Sequence, residues 1–518
     1  MKYYLKLVLL LFINVLFGQE EYNVSIYEKI GENIGGFNTT LDLEDWFGYS
    51  VEHIGDLNGD GVSDVAVGSL KDDDGGFNKG AVYILFLNID GSVNSTQKIS
   101  DTEGGFTGVL SDWDIFGTSI SYLGDINSDG LIEIGVGAEY DGDGGYRHGA
   151  IWILSLNDDG TVASQSKISD FEGEFYAVLD DWDVFGTDIT NLGDLNGDGI
   201  NDIAVSARRD GDGGAGKGAV YILFLNNDFT VNTYQKISST QGNLNIDLDV
   251  QDYFGGSVAN IGDLNNDGVI DLAVGAYRDD DGGSNKGAVY ILFMNSDGTV
   301  LSSQKISETQ GNLNESFNDN MYFGKSIDLF VDLNADGLVE IIVGASGFNN
   351  DGEANFGAFY ILNLNTDGTV NSSVKYTEGF QNFDGDINSN DSFGFSITYI
   401  DKLTDKYSIG VGSYHDNEGG IQKGSIWILQ LGLILSIEDL NIQNKIFLYP
   451  NPTRNAFSLS DISDVDFIQI FDMLGREVLS FNNINTNQFN VSYLPIGEYI
   501  IKVIGQKGAV SSYKLIKE

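Results

Sequence analysis

The chain contains no cysteine, three prolines and three histidines among 518 residues, and 27 basic side chains against 77 acidic ones. Without cysteine no disulfide braces it, so any stapling of its loops falls to bound metal. All three prolines, Pro450, Pro452 and Pro495, lie near the C-terminus. Proline removes a ladder donor, and its absence from everything before Pro450 fits mostly paired strands. The net charge of −50 is uneven: residues 19–444 hold 70 acids and 18 bases, about −52. A field of that sign excludes nucleic acid and anionic lipid as partners and favours cations. A hydrophobic content of 42% is nevertheless enough for large cores, so the acidity does not mean disorder. Long apolar runs are also lacking; Leu431 to Leu435 stops at Ser436, too short for a membrane span.

The N-terminus reads as an export signal over residues 1–18. Lys2 and Lys6 precede the apolar run Leu7 to Phe17, which ends at Gly18, where cleavage is expected.

What the chain has in abundance is one loop. Asp-x-Asn-x-Asp-Gly begins at Asp56, Asp125, Asp194, Asp263 and Asp332, at a constant interval of 69 residues. Each copy offers four oxygen-bearing side chains at positions 1, 3, 5 and 9. The first two sets are Asp56/Asn58/Asp60/Asp64 and Asp125/Asn127/Asp129/Glu133. The others are Asp194/Asn196/Asp198/Asp202, Asp263/Asn265/Asp267/Asp271 and Asp332/Asn334/Asp336/Glu340. These converge only if the loop curls tightly, which the glycine at position 6 permits. An all-oxygen donor set selects Ca²⁺ over transition metals, so about five Ca²⁺ sites are expected.

The repeat is longer than the loop. Phe-Gly recurs from Phe47, Phe116, Phe185, Phe254, Phe323 and Phe393, giving six units. In the first unit four strands are expected: Phe47 to Ile54, Val65 to Gly68, Ala81 to Phe86 and Thr96 to Ile99. Asn-x-Asp-Gly turns join the third and fourth. Short antiparallel strands in units of this period form the blades of a β-propeller. Tyr27 to Ile30 resembles a fourth strand that precedes the first unit, while the last unit lacks one. The N-terminal strand therefore completes the last blade, and six units suggest six blades.

Phe-Gly, Gly-Asp-x-Asn-x-Asp-Gly-x-x-Asp, Val-Gly-Ala and Gly-Ala-Val-Tyr-Ile together resemble the FG-GAP repeat of integrin α-subunit propellers and of bacterial surface proteins. The resemblance covers residues 25–430 within a domain expected over 19–430, and implies Ca²⁺ in the five loops on the lower face. Integrin members have seven blades, so seven remains open. The sixth unit carries Asp401-Lys402-Leu403-Thr404-Asp405-Lys406 where the loop would stand, and no metal is expected there.

A second acidic series, Asp72/Asp74, Asp141/Asp143, Asp210/Asp212, Asp279/Asp281, Asn349/Asp351 and Asp416/Glu418, falls in the turns after the second strands, on the opposite face. The loops before each Phe-Gly share that face and bring Trp46, Phe106, Trp113, Phe175, Trp182 and Tyr253. An acidic, aromatic-studded face is expected to bind ligand.

From residue 445 to 518 the texture changes to short alternating strands, expected to form a small β-sandwich. Tyr449-Pro-Asn-Pro452, Asp472-Met-Leu-Gly-Arg476, Leu494-Pro-x-Gly-x-Tyr499 and a lysine-rich end resemble the type A C-terminal sorting domain of the type IX secretion system. That implies export by this machinery to the outside of a Gram-negative cell, with residues 431–444 as the cleavable linker and the mature product anchored or released. The sequence thus reads as a secreted or surface-attached, calcium-binding adhesion module for a glycan or protein, without a transmembrane segment. A polysaccharide lyase or hydrolase and a structural surface-layer component are the alternatives. His53, His148 and His415 fall at unrelated phases of the repeat and form no visible catalytic constellation.

Overall fold

The computed structural model describes residues 22–333, 336–350, 352, 354–403, 406–433, 448–460, 462, 465–472, 476–482, 484, 486–505 and 510–518. The export signal and most of the expected linker lie outside these. The chain forms two compact units, Met1–Leu433 and Ile434–Glu518.

The first unit consists of six four-stranded antiparallel sheets. In the first sheet the strands Phe47–Gly55, Asp64–Ser69, Ala81–Leu87 and Val93–Ile99 lie side by side in chain order, and the next four sheets repeat that order. Every residue of Asp64–Ser69 and Ala81–Leu87 is buried, while Val93–Ile99 exposes its middle. The middle strands are covered on both faces by neighbouring blades, so they read as continuous apolar runs instead of alternating ones.

Six apolar clusters hold the ring, one at each junction of adjacent sheets. The phenylalanine of each Phe-Gly lies at the junction centre; Phe47, Phe116, Phe185, Phe254, Phe323 and Phe393 have no exposed surface. Their backbone amides tie each blade to the one before. Phe116 N donates to Lys79 O at 2.8 Å, and Phe185 N to His148 O at 2.8 Å. The last link, Phe47 N to Lys423 O at 2.9 Å, closes the circle.

Glycine in the second strand serves this seam. A Cβ on Gly68 would lie 2.1 Å from Gly117 O of the next blade, the same oxygen that accepts a hydrogen bond from Ser50 Oγ at 2.8 Å. Only glycine admits so close a backbone. The third blade departs: Ser206 stands in the glycine position and Asp188 in the serine position, and Asp188 Oδ2 accepts from Val258 N at 2.8 Å.

The sixth sheet is completed by the N-terminal strand, in the order Tyr22–Ile30, Ser425–Leu433, Lys406–Ser413, Ile397–Leu403. The closing strand is longer than its sequence signal, because Tyr22, Asn23 and Val24 continue the ladder opposite Leu433, Gly432 and Leu431. Residues 431–433 therefore belong to this sheet, not to the linker.

The second unit pairs Leu448–Tyr449, Ala456–Leu459 and Gln488–Asn490 in one sheet. A second sheet runs Glu477–Asn482, Val465–Asp472, Gly497–Gly505, Val510–Lys517. Phe457, Ile468, Ile470, Phe489, Ile501 and Leu515 form its core.

Closure by the N-terminal strand has a measurable consequence. A variant lacking residues 22–30 leaves the Ser425–Leu433 edge unpaired, so calorimetry should record a lower melting temperature and more than one transition. A single unshifted transition would mean that the ring does not depend on this strand.

Candidate functional site

The five loops are curled as their spacing requires. In the first, Asp56 Oδ1 accepts from Asp60 N at 3.0 Å and Asp56 Oδ2 from Gly61 N at 2.8 Å. Asn58 Oδ1 also accepts from Asp60 N, at 2.8 Å, and Asp60 Oδ1 from Val62 N at 2.9 Å. The next three loops repeat this net. Asp129 N donates to Asp125 and to Asn127, Asp198 N to Asp194 and Asn196, and Asp267 N to Asp263 and Asn265. In the fifth, Asp336 N and Gly337 N bind Asp332 in the same way, while Asn334 lies outside the described residues. Gly61 has φ +89°, the left-handed turn that a side chain would strain.

The ninth position is the buried floor of each loop. Asp64 and Asp271 bridge two backbone amides and Asp202 three; for Asp64 these are Leu57 N and Leu87 N, both at 3.1 Å. Burial pushes all three up to about 6. Where the ninth residue is the longer Glu133 or Glu340, the strand position opposite is Ser155 or Asn363 instead of a phenylalanine. Burial raises both, Glu340 to about 7. One carboxylate oxygen of each, Glu133 Oε1 and Glu340 Oε2, is buried with no hydrogen-bond partner among the described residues.

The expected convergence of the donors is uneven. In the fifth loop the carboxylates of Asp332, Asp336 and Glu340 come within 4.8 Å of one another, and no other such trio occurs among the described residues. In the first four loops the donors at positions 3 and 5 are turned toward each other. Asn58 Nδ2 donates to Asp60 Oδ2 at 3.1 Å and Asn127 Nδ2 to Asp129 Oδ2 at 2.8 Å. Asn196 Nδ2 donates to Asp198 Oδ2 at 3.0 Å and Asn265 Nδ2 to Asp267 Oδ2 at 2.9 Å. Carboxylates held by amide donors have no electrostatic reason to crowd together, since like charges repel.

The opposite face differs from its sequence reading. In the second acidic series the first acids, Asp72, Asp141, Asp210, Asp279 and Asp416, are buried and bound by lysines from the fourth strands, so they are not offered to a ligand. Lys236 Nζ lies 2.7 Å from Asp210 and 3.0 Å from Asp212, and Tyr221 Oη donates to Asp210 at 3.0 Å. In the fifth blade Phe348 occupies the place of the first acid, its carbonyl accepting from Gly357 N as Asp72 O accepts from Gly80 N. Lys375 accordingly stands over Phe348 at 4.4 Å. Phe106 and Phe175 are core residues, because each packs on the next blade's Phe116 or Phe185. Trp113 and Trp182 stay on the surface.

Around the mouth of the ring axis on this face lies a depression of about 650 Å³, lined in part by Trp46, Tyr49, Arg208, Tyr277, Lys325 and Tyr414. Arg208 pairs with Glu139 at 2.6 Å. Burial among the rings and the Arg208 charge pull Lys325 down to about 8. His415 packs at a tilt on Tyr414 and edge-on against Trp46, and burial with the nearby Lys71 pushes it down to about 4. His148 fills the slot that lysine takes in other blades, 2.6 Å from Asp170 as Lys79 is 2.8 Å from Asp101.

Residues 185–223 and 245–293 match models of the FG-GAP repeat, and residues 447–518 match the secretion system C-terminal sorting domain. The chain carries FG-GAP repeats and a secretion-system sorting tail. Among its curated relatives, human integrin alpha-11 is 36% identical over 165 residues, 32% of this chain and 12% of that protein. Integrin alpha-PS5 of Drosophila melanogaster is 33% identical over 189 residues, 35% of this chain and 17% of that protein. Integrin alpha pat-2 of Caenorhabditis briggsae is 28% identical over 247 residues, 45% of this chain and 18% of that protein. The matches thus span less than a fifth of these relatives. The sorting tail marks the FG-GAP propeller for export. No helix among its described residues is long and apolar enough to cross a membrane.

Sequence reasoning missed the lysines as partners of the acidic turns and the cations of the axial mouth. The first had a signal, a lysine recurring at Lys29, Lys98, Lys167, Lys236, Lys305 and Lys375 in phase with the repeat. The mouth had only the opposite signal, a pair of positions where the repeat keeps no residue type: Leu70-Lys71, Glu139-Tyr140, Arg208-Arg209, Tyr277-Arg278, Ser346-Gly347 and Tyr414-His415.

Two expectations test the fasteners. Lys236→Met leaves Asp210 and Asp212 without a countercharge, and chemical denaturation should record a loss of about 3–5 kcal/mol; a loss below about 1 kcal/mol would assign the pair to the solvated surface. The second concerns Asp45, Asp114 and Asp183, which burial and the neighbouring Asp72, Asp141 or Asp210 push up to about 7. Such groups hold protons more firmly folded than unfolded, so their contribution is complete below about pH 4 and lost as pH rises to about 7. At pH 8 Asp183→Asn should therefore be more stable than wild type in chemical denaturation, by on the order of 1 kcal/mol, with little difference at pH 4. A difference that is equal at both values would refute the assignment.

Proposed function

We propose that this chain is a secreted or cell-surface propeller, stapled by Ca²⁺ in its five loops, that serves as an adhesion or binding module for a glycan or protein ligand. Residues 445–518 would hand it to the type IX secretion machinery. Three features support the metal assignment. The donors at positions 1, 3, 5 and 9 are all oxygen, the backbone is already curled, and Glu133 and Glu340 each keep a buried carboxylate oxygen without a partner among the described residues. A buried carboxylate oxygen left without a donor is costly, and a hard cation relieves it. The residues fit the ion; Asp56, Asn58, Asp60 and Asp64 and their equivalents would hold it, the ion replacing the Asn–Asp hydrogen bonds. Its role would be to fix the loop between the first and second strands, far from the opposite face.

The binding reading rests on one observation. The blades are nearly uniform in their seams, fasteners and loops, yet diverge where they meet the axis opposite the metal loops. Packing explains the uniform positions; it does not require the variable ones.

Melting the chain in Ca²⁺ and in chelator checks the first half. Each occupied site adds RT ln(1 + [L]/Kd), about 2.7 kcal/mol at a hundredfold excess over Kd. An unchanged melting temperature would remove calcium from the account. A glycan array combined with a reducing-sugar assay checks the second half: binding without turnover is expected, whereas turnover would make the chain a polysaccharide-active enzyme and the lack of both a surface-layer component.

A further inference from the structure

We infer that the axial face opposite the metal loops binds a carbohydrate chain carrying sparse carboxylate or sulfate groups, on a track of alternating cations and aromatic rings. The inference rests on the binding-module reading and gives that module its ligand class.

Acids outnumber bases nearly threefold in this chain, so a base should rarely want for a partner. Lys98, Lys167, Lys236 and Lys305 indeed hold two carboxylates each. Arg147, Arg209, Arg278 and Lys325 behave otherwise. Among the described residues no carboxylate lies within ion-pair distance of any of them, and they lie together on one face.

Each is held by rings instead. Arg147 lies 3.8 Å over Tyr140 and 4.3 Å over Trp182. Arg209 lies 5.0 Å from Trp182 and 5.5 Å from Tyr253, and donates to Tyr253 Oη at 3.3 Å. Arg278 lies 4.8 Å over the same Tyr253, and Lys325 4.0 Å over Phe395. The Nε atoms of Arg209 and Arg278 are buried without a hydrogen-bond partner among the described residues. Stacking fixes the guanidinium planes before any ligand arrives, which reduces the entropy lost on binding. Blade packing does not demand a cation at the position of Arg209 and Arg278, which holds Tyr140, Gly347 and His415 in other blades.

The neighbours set the ligand class. Trp113, Trp182 and Tyr146 expose 45%, 39% and 55% of their surface, as platforms for sugar rings. The axial depression, which Arg278 and Lys325 line, is bordered toward the fifth and sixth blades by Asn355, Ser389, Asn390, Asn417 and Gln422, amides and a hydroxyl that both give and accept hydrogen bonds with hydroxyl groups, while Trp113, Tyr146 and Arg147 line a separate depression beside it. A nucleic acid carries a charge at every nucleotide and meets the full repulsion of a −50 chain. A glycan with an acidic group only at intervals places each charge beside a guanidinium, within a distance that salt does not screen, while the remote field is screened beyond about 8 Å at physiological ionic strength.

Calorimetric titration of the full chain in Ca²⁺ tests this, with a short oligogalacturonate, its methyl ester, a sulfated galactose oligosaccharide and oligo-dT as probes. The galacturonate or the sulfated saccharide should bind at least about tenfold tighter than the ester. The Arg209→Gln/Arg278→Gln variant should lose at least about tenfold with an unchanged melting temperature. If that variant melts lower, Trp182→Ala alone should give the same loss, because its ring is exposed. Equal affinity for acid and ester, or undiminished binding by the variants, overturns the charged track and leaves glycan binding standing. Tighter binding of oligo-dT overturns it in favour of nucleic acid, and binding of no saccharide at all removes the glycan reading with it.

Discussion

The structure depends on the approach of one blade's backbone to the next. Phe116 N on Lys79 O and Ser50 Oγ on Gly117 O, repeated around the ring, bring strands so close that only glycine fits between them in most blades. Six such seams close a circle only if every blade has the same thickness, which explains the interval of 69 residues, 70 at the last step, and the invariant burial of the phenylalanines. The third blade shows the constraint from its other side. Ser206 adds bulk in the glycine position, and Asp188 replaces the serine that would otherwise grip the neighbouring carbonyl.

A −50 chain also has to handle its own charge. It does so by sorting its acids. One set stands at the curled loops, where the exposed carboxylates at positions 1 and 5 accept amide hydrogen bonds and the ninth lies buried beneath them. Another set is buried under lysines at the opposite turns, and the tyrosines behind them donate as well. Buried pairs of this kind contribute less net stability than their contacts suggest, since desolvation offsets the attraction, but losing either partner is strongly destabilising. In every blade but the fifth they hold the fourth strand to the turn after the second strand, which ties a blade's edge to its middle.

Much of this was legible in the residues. The strand order, the loop curl, the closing strand and the change of texture near residue 445 all follow from local patterns: turn glycines, apolar runs and a fixed interval. The acidic turns were misread as a ligand surface because a lysine some 25 positions away in sequence carries no local sign of its partner. Phe348 shows the same limit; the spacing suggested Asn349 and Asp351 for that turn, whereas the carbonyl bonded to Gly357 N places Phe348 there. Within the loops the donor types were readable but their aim was not, because an asparagine amide such as that of Asn127 can turn to the neighbouring Asp129 as readily as away from it.

Read alone, the residues settle the repeating unit, its curled acidic loop and the sorting tail, because each is encoded within a short stretch whose backbone geometry its own side chains dictate. What surrounds the axis is settled by ring closure. Arg147, Arg209, Arg278 and Lys325 come from four successive repeats. Their common face, their aromatic stacking and their lack of carboxylate partners among the described residues arise when distant turns are brought side by side, and no periodicity in the chain announces them.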